Sequence, residues 1–116
     1  MTAPLVVSEA QMANPALKPM AVAGHSLNLE PGFTISVVAS GLSVPRFMAF
    51  DSAGDLAIAE DGANRVILLP NRGGQLSSTP LPVMSGLSDP TSVAFYQDWL
   101  YVAEERQVSR YDYKSG

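Results

Sequence analysis

No cysteine occurs in the 116 residues, which excludes a disulfide framework and thiolate chemistry. Positive charge is sparse as well. Seven Lys and Arg residues stand against eleven Asp and Glu, a formal charge of −4, and the basic ones are scattered. No basic cluster is available to neutralise a phosphate backbone, so no nucleic-acid partner is expected. Long apolar runs are missing: the longest weakly polar stretch, Pro19 to Gly24, is far too short for a transmembrane segment. A signal peptide needs a basic segment ahead of an apolar core. The opening Met1-Thr2-Ala3-Pro4, followed by Glu9 and Gln11, offers neither, so none is expected in this stretch. Imidazole is reduced to His25, which leaves a Ser/His/Asp arrangement without a usable base. Nucleophile-elbow and phosphate-loop motifs are absent too, and no catalytic residue is assigned.

What the chain does have is 47% hydrophobic content, enough for a folded core, and an internal echo. Residues 40–50 read SGLSVPRFMAF and residues 85–95 read SGLSDPTSVAF. The echo continues as LAIAE (56–60) against LYVAE (100–104), then RVILL (65–69) against QVSRY (107–111). A period of about 40–45 residues holding several short strands is that of a β-propeller blade. Two units are present, whereas propellers close with roughly 4–8 blades.

Residues 1–32 differ from the rest. Pro4, Pro15, Pro19 and Pro31, among small residues without a sustained period, read as an arm or linker. A short helical turn near Ser8–Met12, capped by Ser8, is the one element expected there. From Phe33 onward the grammar is that of strands, and the fold class is all-β. An outer strand is expected at 33–39, a first blade at 46–84 and a second at 91–113, together two four-stranded antiparallel units. Phe47–Phe50 and Leu56–Ala59 are apolar on both faces, as strands buried on both faces are. Asp51-Ser52-Ala53-Gly54-Asp55 joins them as a hairpin turn. Phe50 and Phe95 are expected as equivalent core positions, and Trp99 and Tyr101 as fillers between blades.

The stretches PGFTISVVASGLSVPRFMAFDSAGDLAIAE and LSDPTSVAFYQDWLYVAEERQVSRYD resemble the opening of soluble quinoprotein sugar dehydrogenases, the glucose and sorbosone dehydrogenase family. The resemblance covers residues 31–113 and implies a six-bladed propeller that carries pyrroloquinoline quinone and calcium and oxidises a sugar. It also implies a periplasmic or secreted parent protein. In that family the catalytic histidine and most cofactor and calcium ligands lie beyond the second blade. A glutamine that contacts the quinone would fall at Ser88–Thr91, where no Gln stands. The expectation is therefore an N-terminal propeller portion that supplies scaffold and part of the ligand rim, with no cofactor held by these residues alone. The alternative is a non-enzymatic propeller module that binds a glycan or a protein.

In a propeller the loops at 40–46 and 85–91 share one rim with those at 60–65 and 104–107. Glu60, Asp61, Glu104 and Glu105 then stand at equivalent strand ends, as a cation-binding or sugar-binding acidic ring or as solvated loop acids. No D-x-D-x-D-G spacing supports a metal there. Arg46 is the candidate partner of a cofactor carboxylate, or else pairs with Glu60 in its own unit. His25, outside the repeat, reads as structural or exposed. For assembly two outcomes stand open: a chain dependent on further blades, or a homo-oligomer, a trimer by count, in which the strand at 33–39 pairs with the open edge at 108–113 of the next copy.

Overall fold

Turn chemistry cuts the chain into short strands, and a computed structural model describes residues 18–22 and 24–114. These residues belong to two units, one ending at Val37 and the other beginning at Val38. In the first, β1 (Lys18–Val22) and β2 (His25–Leu29) pair antiparallel on either side of a turn at Gly24. The segment expected as an arm thus carries a hairpin. The helical turn expected near Ser8–Met12 lies outside the described residues.

The second unit holds two larger antiparallel sheets and one short two-stranded hairpin. β3 (Pro45–Phe50), β4 (Leu56–Glu60) and β5 (Arg65–Leu69) run as a meander. A two-residue hairpin, β6 (Asn71–Arg72) with β7 (Gln75–Leu76), precedes β8 (Leu81–Met84), which adds to β5 as the fourth strand. β9 (Ser92–Tyr96), β10 (Trp99–Ala103) and β11 (Val108–Asp112) make the three-stranded second sheet. The all-β, antiparallel reading follows the sequence expectation, whereas the second sheet has three strands where a four-stranded unit was expected.

The outer strand expected at 33–39 is not formed. A strand is held by the ladder it shares with a neighbour, and no described residue pairs with this stretch. Its alternating Phe33, Ile35 and Val37 are 67%, 38% and 49% exposed. The signal there is β-branched composition bounded by Pro31-Gly32 and Ser40-Gly41, and neither supplies a partner.

Turn geometry follows residue type. Asp51 opens the β3–β4 turn: its Oδ1 accepts the Ala53 and Asp55 N–H groups, each at 2.9 Å. Gly54 takes the positive φ of +85° that the turn demands.

Packing is set by the alternation of side chains along each strand. All five residues of β4 are buried, so this strand is covered on both faces. Ala57 and Ala59, with Val66 of β5, meet Leu87, Val93, Leu100 and Val102 of the second sheet's segment. Leu56 and Ile58 point the other way, into a second cluster with Ile67 and Leu69, flanked by Ala39, Leu42 and Leu76. The seam between sheets therefore places small side chains of one centre strand against large ones of the other.

Two packing expectations are corrected by this register. Phe95 packs into the seam and against Tyr113, with ring centroids 4.9 Å apart. Phe50 is 62% exposed, because its face of the first sheet has no second sheet on it. Trp99 and Tyr101 share one face of β10 as expected, but it is the face turned away from the first sheet. Leu100 and Val102 fill the seam, while Arg110 lies over the Trp99 ring at 4.1 Å.

Tyr113 closes the seam at one end. Its hydroxyl donates to Oδ2 of the buried Asp51 at 2.7 Å, a link across 62 residues. Burial and then the Asp51 hydrogen bond push the phenol's pKa well above its usual value. The hydroxyl thus stays protonated and donating through the physiological range. Tyr113→Phe leaves the ring packing and removes only the donor to a charged acceptor. We expect a loss of about 1–3 kcal/mol in urea unfolding.

Candidate functional site

The rim expected from the sequence exists as a set of loops tied to one another by backbone hydrogen bonds. The Asp61 N–H donates to the Val44 carbonyl at 3.1 Å and the Gly62 N–H to the Ser43 carbonyl at 3.0 Å. In the second sheet the Glu105 N–H reaches the Ser88 carbonyl at 2.9 Å. Residues 61–63 form a single 3-10 turn that ends at Asn64 in the left-handed region.

The two Ser-Gly-Leu-Ser segments do the same local work. Gly41 and Gly86 have φ of +75° and +72°, so each loop bends where a side chain would be strained. Val44 and Asp89, each immediately before a proline, also match at φ of +48° and +50°. This bend turns the second serine's N–H inward. The Ser43 N–H donates to Glu60 Oε2 at 2.6 Å, and the Ser88 N–H to Glu104 Oε1 at 2.9 Å.

Each carboxylate is clamped from its other side by the residue that opens the next strand or immediately precedes it. Arg65 Nε donates to Glu60 Oε1, and Gln107 Nε2 donates to Glu104 Oε2 at 3.1 Å, joined by the Ser109 hydroxyl at 3.2 Å. The partner of Glu60 is therefore Arg65 and not Arg46. Arg46 instead lies 3.7 Å from Asp61, where both side chains are partly open to water. Its place in the chain, at the start of β3, points it along the rim and not across to the end of β4.

Burial works to raise the Glu60 pKa. The Arg65 and Ser43 hydrogen bonds, with the charge of Arg65, outweigh it and hold the carboxyl below its ordinary value of 4.5. The Glu104 carboxyl is held low first by the Ser88 N–H and then by Gln107, against a smaller opposing effect of burial. Both folded pKa values lie below the unfolded one. The stabilisation is therefore complete above about pH 4.5 and is lost as pH falls through the lower, folded values. Melting temperature by circular dichroism should be flat from neutral pH to about 5 and fall steeply below about 4.5. A flat profile down to about pH 3 would contradict the clamp reading.

Glu60 and Glu104 thus spend their oxygens on the loops that hold the rim together. Asp61 faces Arg46, and Glu105 lies beside Arg106 at 3.4 Å in an exposed pair. Among the described residues no group of three or more His, Asp or Glu side chains gathers in a way that could hold a metal ion. The four carboxylates of the expected acidic ring stand in separate pairings. A shallow cleft of about 310 Å³ opens at Ser88, Glu104, Glu105, Arg106 and Gln107. The candidate His25 falls in β2 of the other unit.

Sequence reading missed Asn64. Its carbonyl accepts the Leu87 N–H at 3.0 Å and its Oδ1 accepts the Asp89 N–H at 3.2 Å. It thereby stitches the rim of the first sheet to that of the second. The usable signal was the Gly-Ala-Asn run, since Asn is the residue besides Gly that ends a helical turn in the left-handed region. Arg65 and Gln107 were also missed, although the repeat aligns them.

Compared with known proteins, the chain matches no family model and no curated protein. Among the described residues no helix is long and apolar enough to cross a membrane.

Proposed function

We propose that this chain supplies two consecutive blades and a stretch of ligand-bearing rim to a β-propeller of the quinoprotein sugar dehydrogenase type, as scaffold and not as a complete catalyst. The observation that carries this reading is the matched clamp. Ser43 to Glu60 and Ser88 to Glu104 are the same loop-to-strand anchor, in two sheets stacked side by side. An anchor repeated in adjacent sheets is what a propeller needs in order to present successive loops on one face. The sequence resemblance, with its Pro31-Gly32-Phe33 opening and Val-Ala-Glu strand end, supplies the quinoprotein assignment.

The residues present do not make a quinone site by themselves. Arg46 is the cation expected for a cofactor carboxylate, and its charge is already met by Asp61. The rim glutamates are occupied by backbone and side-chain donors, so no reaction step is assigned to these residues.

Two assays test the proposal. The chain, mixed with pyrroloquinoline quinone, calcium and a panel of aldoses, should give no dye reduction. Turnover on the order of 1–10³ s⁻¹ would overturn the scaffold role. The product of the whole reading frame that contains these residues should reduce dye only when quinone is added. Its failure to oxidise any aldose would overturn the dehydrogenase assignment.

A further inference from the structure

We propose that the cleft between the β3–β4 turn and the β6–β7 hairpin binds a small zwitterion, an α-amino acid with a branched aliphatic side chain. The turn at 51–55 joins the ends of β3 and β4 that lie away from the Ser43–Glu60 rim, so this is the opposite end of the first sheet. The cleft has a volume of about 310 Å³. Small-molecule sites run from roughly 300 to 1,000 Å³. Its walls are fixed before a ligand arrives. Asp55 Oδ1 accepts the Asn71 N–H at 2.7 Å, and the Asn71 side-chain amide donates to the Ala53 carbonyl at 3.1 Å. A side chain at Gly54 would come within 2.6 Å of that amide, so turn and hairpin are in contact.

Two opposite charges line this cleft without meeting. Asp55 and Arg72 both belong to its lining, yet no ion pair joins them. Of the five arginines, Arg46, Arg65 and Arg106 face carboxylates and Arg110 lies over the Trp99 ring. Among the described residues Arg72 has neither kind of partner. Asp55 is satisfied on one oxygen alone: Oδ1 holds Asn71, and Oδ2 accepts no hydrogen bond from a described residue. The other lining is largely apolar, with Leu68, Pro70 and the half-exposed Leu81. An apolar floor with a few polar groups converging on it is the usual make-up of a small-molecule site.

The two charges select the ligand. An ammonium group suits the unoccupied oxygen of Asp55, and a carboxylate suits the guanidinium of Arg72, which can hold it through two N–H groups. An aliphatic side chain between them displaces water from Leu68 and Leu81. A fatty acid or a polyamine would meet one of the charges and cover the other, which strips its water without compensation. The cleft is open to solvent, so a dissociation constant on the order of 1 mM is expected. No residue of the rim takes part, and the site stands apart from the quinoprotein reading.

Amide shifts of the isotope-labelled chain, followed by two-dimensional NMR during titration, test it. The probes are L-leucine, N-acetyl-L-leucine, L-leucinamide and glycine. Leucine should move the amides of Asp55, Arg72 and Leu81 saturably and leave those of Ser43 and Ser88 in place. Blocking its amine or its carboxylate should weaken binding about three- to tenfold. Glycine, without the side chain, should bind about tenfold more weakly. Arg72→Gln, at an exposed position, should weaken leucine about three- to tenfold and leave leucinamide unchanged. Asp55→Asn keeps an acceptor for the Asn71 N–H, and should weaken leucine while leaving N-acetyl-leucine unchanged. If that variant unfolds, leucine against N-acetyl-leucine on the wild-type chain still tests the amine end. No saturable shift with leucine up to about 10 mM would overturn the proposal. So would equal binding of leucine and N-acetyl-leucine, or an Arg72→Gln chain that binds leucine as wild type does. None of these results bears on sugar oxidation by the whole gene product, so the two readings fail separately.

Discussion

Replacing Glu60 with Ala should lower unfolding stability by about 2–4 kcal/mol, read from chemical denaturation. The side chain is 1% exposed and both oxygens are engaged, by the Ser43 N–H and by Arg65. Removing one member of a buried charged pair costs about 3–5 kcal/mol, because the other is left without its counter-charge. Arg65 is 31% exposed, so water takes up part of its charge and the expected loss is at the lower end. The equivalent Glu104→Ala change should cost clearly less, because its clamp is neutral and open to solvent. Equal losses at the two sites would contradict the difference in their surroundings. A double-mutant cycle of Glu60 with Arg65 should show coupling, since the residues touch.

Leu100→Ala should be comparably severe, at about 3–5 kcal/mol. Leu100 is fully buried in the seam and meets the first sheet on the face that carries Ala57 and Ala59. Facing alanines cannot reach into the space left behind, so the cavity persists and its cost is added to the lost burial. Phe50→Ala is the control, with a change of less than about 1 kcal/mol in the monomer, because an exposed side chain has little burial to lose. A large effect at Phe50 and a small one at Leu100 would place the core on the wrong side of the first sheet.

The strands of both sheets were legible because their signals are local. Apolar runs separated by turn residues, Asp51 to Asp55 and Asn71 to Gly74 among them, fix β3, β4, β5 and β8 within a residue or two, and the echo carries the same assignment to β9, β10 and β11. What was not legible depends on neighbours. Thr34–Ala39 has better strand composition than β8, yet β8 has β5 to pair with and 33–39 has no partner among the described residues. Phe50 and Phe95 are the same letter in the same motif, and only the position of the second sheet buries one and exposes the other. At the rim, the equivalence of Glu60 and Glu104 could be read from the repeat. Their task could not, because it depends on backbone N–H groups that point inward only after Gly41 and Gly86 bend. Arg46 misled for a related reason: charge in the sequence gives a sign but no direction.

The link between Tyr113 and Asp51 bears on the order in which the chain acquires its structure. Every strand pair in the two sheets except β5 with β8 joins neighbours along the chain, and hairpins of this kind form within microseconds. The seam joins groups 62 residues apart, so closing it carries a larger loop entropy and follows the hairpins. The first sheet can thus mature before the residues that cover its alanine face are in place. During that interval its alanine face is bare, and the docking of Val93, Leu100 and Val102, with Tyr113 at the margin, is the event that ends the exposure.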